Sequence, residues 1–130
     1  MKKIKKNALK SFLFICLGLT FTTIVFANMM YDVPGAPGAP QVVDVRGDRC
    51  ELKYLPPVYS GGSQVLNYII ECRNKGDYKW KVIGTSKSTC FVAFGMIEGN
   101  EVEFRVFAVN KFGKSDPSKS SGFILIKSKL

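Results

Sequence analysis

The sequence predicts an all-β protein, in which seven strands form a sandwich of two antiparallel sheets behind a hydrophobic leader helix. The sandwich is predicted by short runs in which apolar and polar residues alternate, with clusters of turn residues between them. The leader is predicted because an uncharged apolar stretch follows a cluster of lysines at the start of the chain. No other stretch has a convincing helical period, so we expect β-structure in the rest of the chain.

The clearest strand lies within residues 98–113 and is expected at the centre of a sheet. Glu103 and Arg105 alternate with apolar residues, and a period of two with β-branched and aromatic side chains indicates one buried face. Gly and Asn bound the run on both sides, because they tolerate turn conformations. The apolar positions are Val102, Phe104, Val106 and Ala108.

Six further runs show the same alternation at short spacing. Turn residues separate them; for example, Pro56-Pro57 ends one run and Ser60-Gly61-Gly62-Ser63 forms the next loop. In the fourth of the seven runs, Tyr78, Trp80 and Val82 alternate with lysines and are predicted to face the core. The six runs are residues 41–45, 49–55, 66–73, 78–82, 89–94 and 122–126.

Residues 1–27 are predicted to be a targeting segment. Five lysines lie in the first ten positions, and residues 11–27 carry no charge. Val25-Phe26-Ala27 fits the pattern that signal peptidase cuts, so one interpretation is a signal peptide that ends at Ala27. A second is a retained signal anchor, since Ser11 to Tyr31 is an uncharged run near the ~20 residues that span a bilayer. This membrane insertion would place the rest of the chain outside the cytoplasm. A third is a mispredicted start of the chain.

Two boundaries follow the leader. Residues 28–36 are predicted to be a linker rich in Pro and Gly, because Val33 to Pro40 reads Val-Pro-Gly-Ala-Pro-Gly-Ala-Pro. Each Pro fixes φ and disfavours helix in the preceding residue, so an extended, polyproline-like form is expected. The folded domain is predicted to span residues 37–127.

Charge and composition exclude several classes of function. The net charge is +9, but without the five basic residues of the first ten positions 14 basic residues face 10 acidic ones, or +4, and no nucleic-acid partner is predicted. The chain has no His, which excludes His-based catalysis and His metal ligands. Neither a nucleophile elbow nor a phosphate or dinucleotide loop occurs. We therefore predict no catalytic, cofactor-binding or metal residues, and no cofactor.

Several motifs occur together between residues 34 and 127. They are Pro56-Pro57, Gly61-Gly62-Ser63, Tyr68-Ile69-Ile70-Glu71, Trp80, Gly95-Met96-Ile97-Glu98-Gly99-Asn100-Glu101, Glu103-Phe104-Arg105-Val106, Ala108, Asn110-Lys111-Phe112-Gly113, Ser115 and Pro117-Ser118. This set resembles the fibronectin type III domain. The Pro-Gly approach at Val33 to Pro40 and the Asn-Lys-x-Gly turn are most similar to those of the titin and twitchin group of muscle proteins.

The resemblance implies an immunoglobulin-like β-sandwich that acts as a non-enzymatic protein–protein interaction or structural module, one unit of a titin- or twitchin-like sarcomeric protein. Its partners would be other proteins or neighbouring domains in the cytoplasm. Two alternatives stay open. The leader favours a secreted or membrane-tethered adhesion or receptor-type domain, and the alternative from another class is an accessory domain of a multidomain enzyme.

Two positions depart from the family pattern. Tyr54 stands where the family usually has Trp on the second strand, and Val102 stands where it usually has the tyrosine of the tyrosine corner. The hydroxyl of that tyrosine bonds to upstream backbone, and Val cannot make the bond. Because one hydrogen bond contributes roughly 0.5–1.5 kcal/mol, we expect a correct fold of reduced stability.

The cysteines are predicted to be unpaired. Cys16 lies in the leader, and the three cysteines of the domain are an odd number. Cys50 and Cys72 have inward parity whereas Cys90 faces outward, so a Cys50–Cys90 disulfide is disfavoured. Unpaired thiols that serve as small apolar core residues suit a reducing compartment.

Five residues in two turns are candidates for partner contact. Arg46-Gly47-Asp48 is a tripeptide that some fibronectin type III domains use to bind integrins, yet here it falls between the first two strands. Gly47 and Asp48 suit a tight turn there, so we favour the turn over an integrin contact. Lys111 and Phe112 lie at the tip of a later turn, where an exposed Phe is hard to explain by folding alone.

Overall fold

The computed structural model describes residues 9–15 and 24–128, and the regular elements in these residues are all β-strands. The strands are β1 (Leu9–Ile15), β2 (Ile24–Met30), β3 (Gln41–Arg46), β4 (Arg49–Lys53), β5 (Asn67–Asn74), β6 (Lys81–Ser86), β7 (Cys90–Ala93), β8 (Glu101–Asn110), β9 (Gly113–Lys114) and β10 (Ile124–Leu125).

Strands β3 to β10 form the two antiparallel sheets of a sandwich. One sheet has the order β10-β8-β5-β6, with β9 also paired to β8, and the other has the order β3-β4-β7. The predicted central strand is β8, which pairs with β5 along its length, from Asn67↔Val109 to Asn74↔Val102. The predicted all-β, two-sheet fold is confirmed.

The core lies between the two sheets and follows the alternation along β8. Val102, Phe104, Val106 and Ala108 are all buried, as their spacing predicts. Leu52 of β4, Ile70 of β5 and Ile126 after β10 are fully buried against them. One contiguous apolar cluster therefore joins the two sheets.

The fourth strand lies later in the chain than predicted. β6 begins at Lys81, so Tyr78 and Lys79 belong to the β5–β6 connection, and the Tyr78 side chain is 95% exposed rather than in the core. Val82 is also exposed. The prediction that Tyr78 and Val82 face the core is wrong, because Tyr78 lies in a turn outside the sheet and Val82 pairs with Glu71 on the outer face of the sheet.

The segment after β9, residues 115–121, is held along β8 by a repeated serine motif that we call the serine segment. Ser118 donates its N–H to the Val106 carbonyl and accepts the Val106 N–H on Oγ, at 2.8 and 2.9 Å. Ser115 makes the same pair of bonds to Ala108, and Ser121 makes it to Phe104. A spacing of three matches an extended segment with three residues per turn, which brings every third side chain to the same edge.

The predicted linker is extended, and it is bound to the sandwich. We call residues 32–40 the proline segment. Pro34, Pro37 and Pro40 are buried, again with a period of three. Backbone N–H groups of Gly35 and Gly38 donate to the carbonyls of Tyr59 and Leu55, at 2.8 and 3.0 Å. The segment therefore packs as part of the domain.

The leader helix predicted within residues 1–27 is not seen. Leu9–Ile15 and Ile24–Met30 instead pair as antiparallel strands, from Leu9↔Met30 to Ile15↔Ile24. Aromatic and β-branched residues are frequent in both runs and favour strands, and an apolar run without a polar face does not by itself distinguish helix from strand. The remaining leader residues, 1–8 and 16–23, and with them Cys16, lie outside the described residues. Within residues 9–15 and 24–128, no helix is long and apolar enough to cross a membrane.

The three cysteines of the domain are unpaired, as predicted. Cys50 and Cys72 are buried and Cys90 is exposed. Burial, the largest cause, raises the pKa of the Cys50 and Cys72 thiols to about 11, so both are held as neutral apolar side chains. The inward and outward parity of these positions is confirmed.

Tyr54, which stands where the family that the sequence resembles usually has Trp, is buried in the core. Its ring lies edge-on to Tyr68, with 5.1 Å between ring centroids, and its hydroxyl donates to the Ser88 carbonyl at 2.9 Å. Burial raises the pKa of Tyr54 to about 12. The smaller ring is therefore accommodated with its polar atom satisfied.

Candidate functional site

The Arg46-Gly47-Asp48 turn joins β3 to β4 as a two-residue hairpin, with Arg46 paired to Arg49. Gly47 has φ +56°, and a positive φ at the first central residue is typical of a type II′ turn. Arg46 Nε lies 2.7 Å from Asp44 Oδ2 of its own strand. The triplet thus has the tight turn that its residue types predict, and its arginine already has a carboxylate partner.

The Lys111-Phe112 turn joins β8 to β9. Phe112 donates its N–H to Asn110 Oδ1 at 2.8 Å, and its ring lies 5.7 Å from the ring of Tyr31. Lys111 Nζ lies 5.2 Å from the Phe112 ring centroid. Phe112 is therefore half-buried against the incoming chain, which supplies a folding reason for an aromatic that was expected to be exposed.

The two turns lie at opposite ends of the sandwich. Asn110, which ends β8, donates through Nδ2 to the carbonyls of Asp32 and Ser60, at 2.8 and 2.9 Å. The Asp48 carbonyl instead accepts from Met96 N–H, in the connection that precedes β8. A ten-residue strand spans about 30 Å, so the structure does not bring the predicted contact residues together.

We call the end of the sandwich where residue 32 enters the incoming end, and the end where residue 126 leaves it the outgoing end. At the incoming end, Asp32 N–H donates to the Gly61 carbonyl at 2.9 Å, beside Asn110. At the outgoing end, Ile126 and the β7–β8 connection are bonded in both directions: Gly99 N–H to the Ile126 carbonyl, and Ile126 N–H to the Asn100 carbonyl. The turn at Arg46 to Asp48 is at the outgoing end, and the turn at Lys111 and Phe112 is at the incoming end.

A charged cluster on the outer face of the β8–β5–β6 sheet was missed by the sequence analysis. Arg105 Nε donates to Glu71 Oε1 at 2.7 Å, and Arg73 pairs with Glu103 across the same two strands. Trp80, predicted to be in the core, is only half-buried, and the guanidinium groups of Arg73 and Arg105 each lie 4.4 Å from its ring centroid. Glu-x-Arg occurs at 71–73 and 103–105, and this repeat on two antiparallel strands is the signal that could have predicted the crossed pairs.

Electrostatics in this cluster favour the charged form of Glu103. Burial alone would raise the pKa of Glu103, but hydrogen bonds from Ser120 and Arg73, and the charges of Arg73 and Arg105, lower it overall. Ser120 Oγ donates to Glu103 Oε2 at 2.6 Å. Each of the two carboxylates, Glu71 and Glu103, is paired with an arginine of the neighbouring strand, so side-chain bonds join β5 and β8 in addition to the backbone pairing.

In the part of the chain that the structure describes, no group of three or more Cys, Asp and Glu residues is placed to hold a metal ion. The lysines at 75, 79, 81 and 87 are exposed, and Lys75 pairs with Glu101 at 3.1 Å.

Comparisons with known proteins agree with this architecture. Residues 35–123 match the family model of the fibronectin type III domain. Cardiac-type myosin-binding protein C of Mus musculus is 42% identical over 92 residues, which is 69% of this chain but 7% of the relative, so the chain spans a small part of that protein.

Two solved structures are similar in sequence and in fold. Domains A168–A170 from titin superpose with a TM-score of 0.73 at 31% identity, covering 81% of this chain and 37% of that one. The twitchin kinase region from C. elegans superposes with a TM-score of 0.72 at 32% identity, covering 75% of this chain and 17% of that one. The match to the family model covers more than half of the residues, and the chain therefore belongs to the fibronectin type III domain family.

Proposed function

We propose that this chain is a non-enzymatic structural and protein-interaction module of a titin-, twitchin- or myosin-binding-protein-like muscle protein. The observation that carries the proposal is the opposite placement of the incoming and outgoing chain. Asp32 is bonded beside Asn110, where β8 ends, and Ile126 is bonded to Asn100, just before β8 begins. Modules with termini at opposite ends can follow one another as a string, with little overlap between neighbours.

The incoming chain is also held at a fixed angle. Buried prolines and backbone bonds fasten the proline segment, and Asn110 adds a side-chain bond to Asp32. A proline-containing segment loses little conformational entropy when it is ordered, so the attachment is stiff. For this reason we propose that the functional unit begins at Asp32, ahead of the predicted boundary at residue 37, and runs to about residue 127.

Partner contacts are proposed at both ends. The Lys111-Phe112 turn packs on Tyr31 and is placed to meet a preceding module, whereas Arg46-Gly47-Asp48 lies at the outgoing end and is placed to meet a following module or another protein. The mixed charge of these turns suits contacts between proteins in an array.

Co-sedimentation with filaments tests the proposal. The full chain is mixed with purified striated-muscle myosin filaments or with actin filaments, at about 0.15 M salt, where long-range attraction of a basic protein is screened. We expect the chain to pellet with myosin, and the Lys111→Ala/Phe112→Ala variant to pellet less. Failure to pellet with myosin, or equal pelleting with actin that disappears as salt rises, would overturn the proposal.

A second candidate is a secreted or membrane-tethered adhesion domain, which the lysine cluster and the uncharged residues 11–27 favour. Expression of the tagged full chain in cultured muscle cells separates the two. Intact chain in striated register with myosin supports the muscle module, in the cytoplasm. A mature N terminus at Asn28 in the medium supports secretion, and carbonate-resistant membrane association supports the anchor. A role beside a kinase, as the twitchin structure includes, would require a catalytic domain elsewhere in a longer protein.

A further inference from the structure

A cavity of about 270 Å³ opens at the outgoing end of the sandwich. The β5–β6 connection forms one side of the cavity, and the β7–β8 connection forms the other. Its apolar lining comes from both sheets and from the connections between them. The lining includes Cys72, Ile83, Phe94, Met96, Ile97 and Val102.

Val102 contributes a small side chain to the lining of this cavity. Val102 is the first inward-facing residue of β8 and is 3% exposed, so its side chain points between the sheets. The next inward residue, Phe104, is fully buried and fills the corresponding space one step further along the strand. The valine side chain ends in two methyl groups bonded to Cβ, whereas a tyrosine at this position would extend a ring toward the cavity.

The mouth of the cavity is apolar and positively charged. Phe94 is 68% exposed and Ile97 is 66% exposed, so both present apolar surface at the mouth. Lys79 and Lys81 also line the cavity, and neither has a carboxylate partner within residues 31–128, whereas Arg73 is paired with Glu103. Asp77 is the acidic residue of the lining.

We propose that this cavity binds one aromatic side chain presented by an acidic segment of a partner protein. The inference rests on the proposed function as an interaction module and names the site and the partner's chemistry. A volume of about 270 Å³ lies below the ~300–1,000 Å³ of sites for drug-sized ligands, and it suits a single large side chain. Phe94 and Met96 supply an aromatic edge and a thioether, both of which pack well on a ring.

The positive charge at the mouth favours a partner with acidic residues on both sides of its aromatic residue. Glutamates on either side of the ring would meet Lys79 and Lys81, which project from the same rim. The Asp48 carbonyl accepts from Met96 N–H at 2.9 Å, so the Arg46-Gly47-Asp48 turn adjoins this site and is placed for a second contact. A nucleic-acid strand fits less well, because only two unpaired lysines line the mouth and stacking platforms usually combine with a longer basic groove.

Titration of the full ¹⁵N-labelled chain with a capped peptide, Glu-Glu-Tyr-Glu-Glu, tests the proposal. We expect amide shifts centred on Ile83, Met96 and Val102, and at least tenfold weaker binding of the matched peptide with Ala in place of Tyr. Val102→Tyr should weaken binding at least tenfold, because the new ring occupies the cavity. The matched control is Val58→Tyr, which adds the same ring at a fully exposed position near the incoming end and should leave binding unchanged.

A second pair of variants keeps the test informative if Val102→Tyr does not fold. Lys79→Glu/Lys81→Glu should weaken binding at least tenfold, whereas Lys53→Glu/Lys87→Glu, which makes the same charge change away from the cavity, should have less than a threefold effect. Equal binding of the two peptides, shifts centred elsewhere, or no binding at millimolar peptide overturns the proposal. So does a dimer that Tyr78→Ala dissolves, because the occupant is then a second copy of this chain.

The two proposals can fail separately. If the peptide binds at the cavity but the chain does not pellet with myosin, the site stands and the assignment to a muscle array fails. If the chain pellets with myosin and Val102→Tyr pellets equally, while the peptide does not bind, the proposed function stands and the cavity is not its contact.

Discussion

The two ends of this sandwich are closed in different ways. At the incoming end, Asn110 bonds to Asp32, Ser60 and Phe112, and the rings of Phe112 and Tyr31 pack over it. At the outgoing end, backbone bonds tie Ile126 to residues 99 and 100, but a cavity remains above Val102. One end is filled by side chains and the other end is left open.

The difference shows that the sheets and the ends of the domain are specified by different residues. The alternation along β8 places four side chains in the core, and this placement does not depend on the residues that follow or precede the strand. Closure of an end depends on a few polar and aromatic residues at or beyond the last position of a strand, here Asn110 and Phe112. An end that lacks such residues can keep the fold and still offer a binding surface.

Substitution of Gly61 should destabilise the incoming end, and we expect this substitution to lower the free energy of unfolding the most. A Cβ at Gly61 would overlap the Asp32 carbonyl and lie 2.6 Å from Asn110 Nδ2, and its φ of +82° is unfavourable for other residues. Strain of about 1–2 kcal/mol, together with lost hydrogen bonds of roughly 0.5–1.5 kcal/mol each, predicts that Gly61→Ala lowers the free energy of unfolding by about 2–5 kcal/mol. Urea denaturation of the full chain measures the change.

Gly76→Ala is the matched control for the backbone term. Gly76 also has a positive φ, +93°, but a Cβ there meets no atom within 4 Å, so about 1–2 kcal/mol is expected. Equal losses for the two variants would mean that the contact with the proline segment contributes nothing to the stability of the incoming end.

Val102→Tyr should fill the open end and stabilise the domain. The added ring buries apolar area, and a new hydrogen bond to the β7–β8 connection would contribute roughly 0.5–1.5 kcal/mol, so the free energy of unfolding should rise by about that amount or more. Val58→Tyr at the incoming end should change it by less than about 0.5 kcal/mol. A loss above about 1 kcal/mol for Val102→Tyr would show that the site is already packed.

Much of the sandwich could be predicted from sequence because its pattern is local. The period of two along β8 assigns each side chain to a face, and the parity of Cys50, Cys72 and Cys90 follows in the same way. The period fails at Tyr78, because nothing in the alternation marks where the strand begins. The same limit applies to the leader, where an apolar run fits helix and strand equally.

The docking of the proline segment and the cavity depend on residues distant in sequence. The spacing of Pro34, Pro37 and Pro40 indicates that they share one face. That the segment binds the backbone of Leu55 and Tyr59 is known only from the fold. Likewise, a Val at position 102 indicates that an aromatic ring is absent there, but the two lysines at the mouth come from the β5–β6 connection and from the start of β6, which only the fold brings beside Val102. Patterns predict faces, and tertiary packing decides what those faces meet.

Acidification should produce the smallest effect, on the outer face of β8 near the open end. The pKa of Glu103 is lowered in the folded chain below its ordinary value of 4.5, so the unfolded chain binds more protons around that pH. The resulting stability is fully present above pH 4.5 and is lost as pH falls through the folded pKa. Thermal midpoints of the full chain between pH 7 and pH 3 should therefore fall most steeply below about pH 4.5.

Two variants assign that acid dependence to Glu103. Glu103→Gln removes the titrating group, so the fall below pH 4.5 should be shallower, although stability at pH 7 decreases because Arg73 loses its ion pair. Ser120→Ala removes one donor to the carboxylate, so the fall should begin at higher pH. Unchanged acid curves for both variants would place the proton-sensitive group elsewhere, and the crossed Glu-x-Arg pairs would then join β5 and β8 without linking the stability of the sheet to pH.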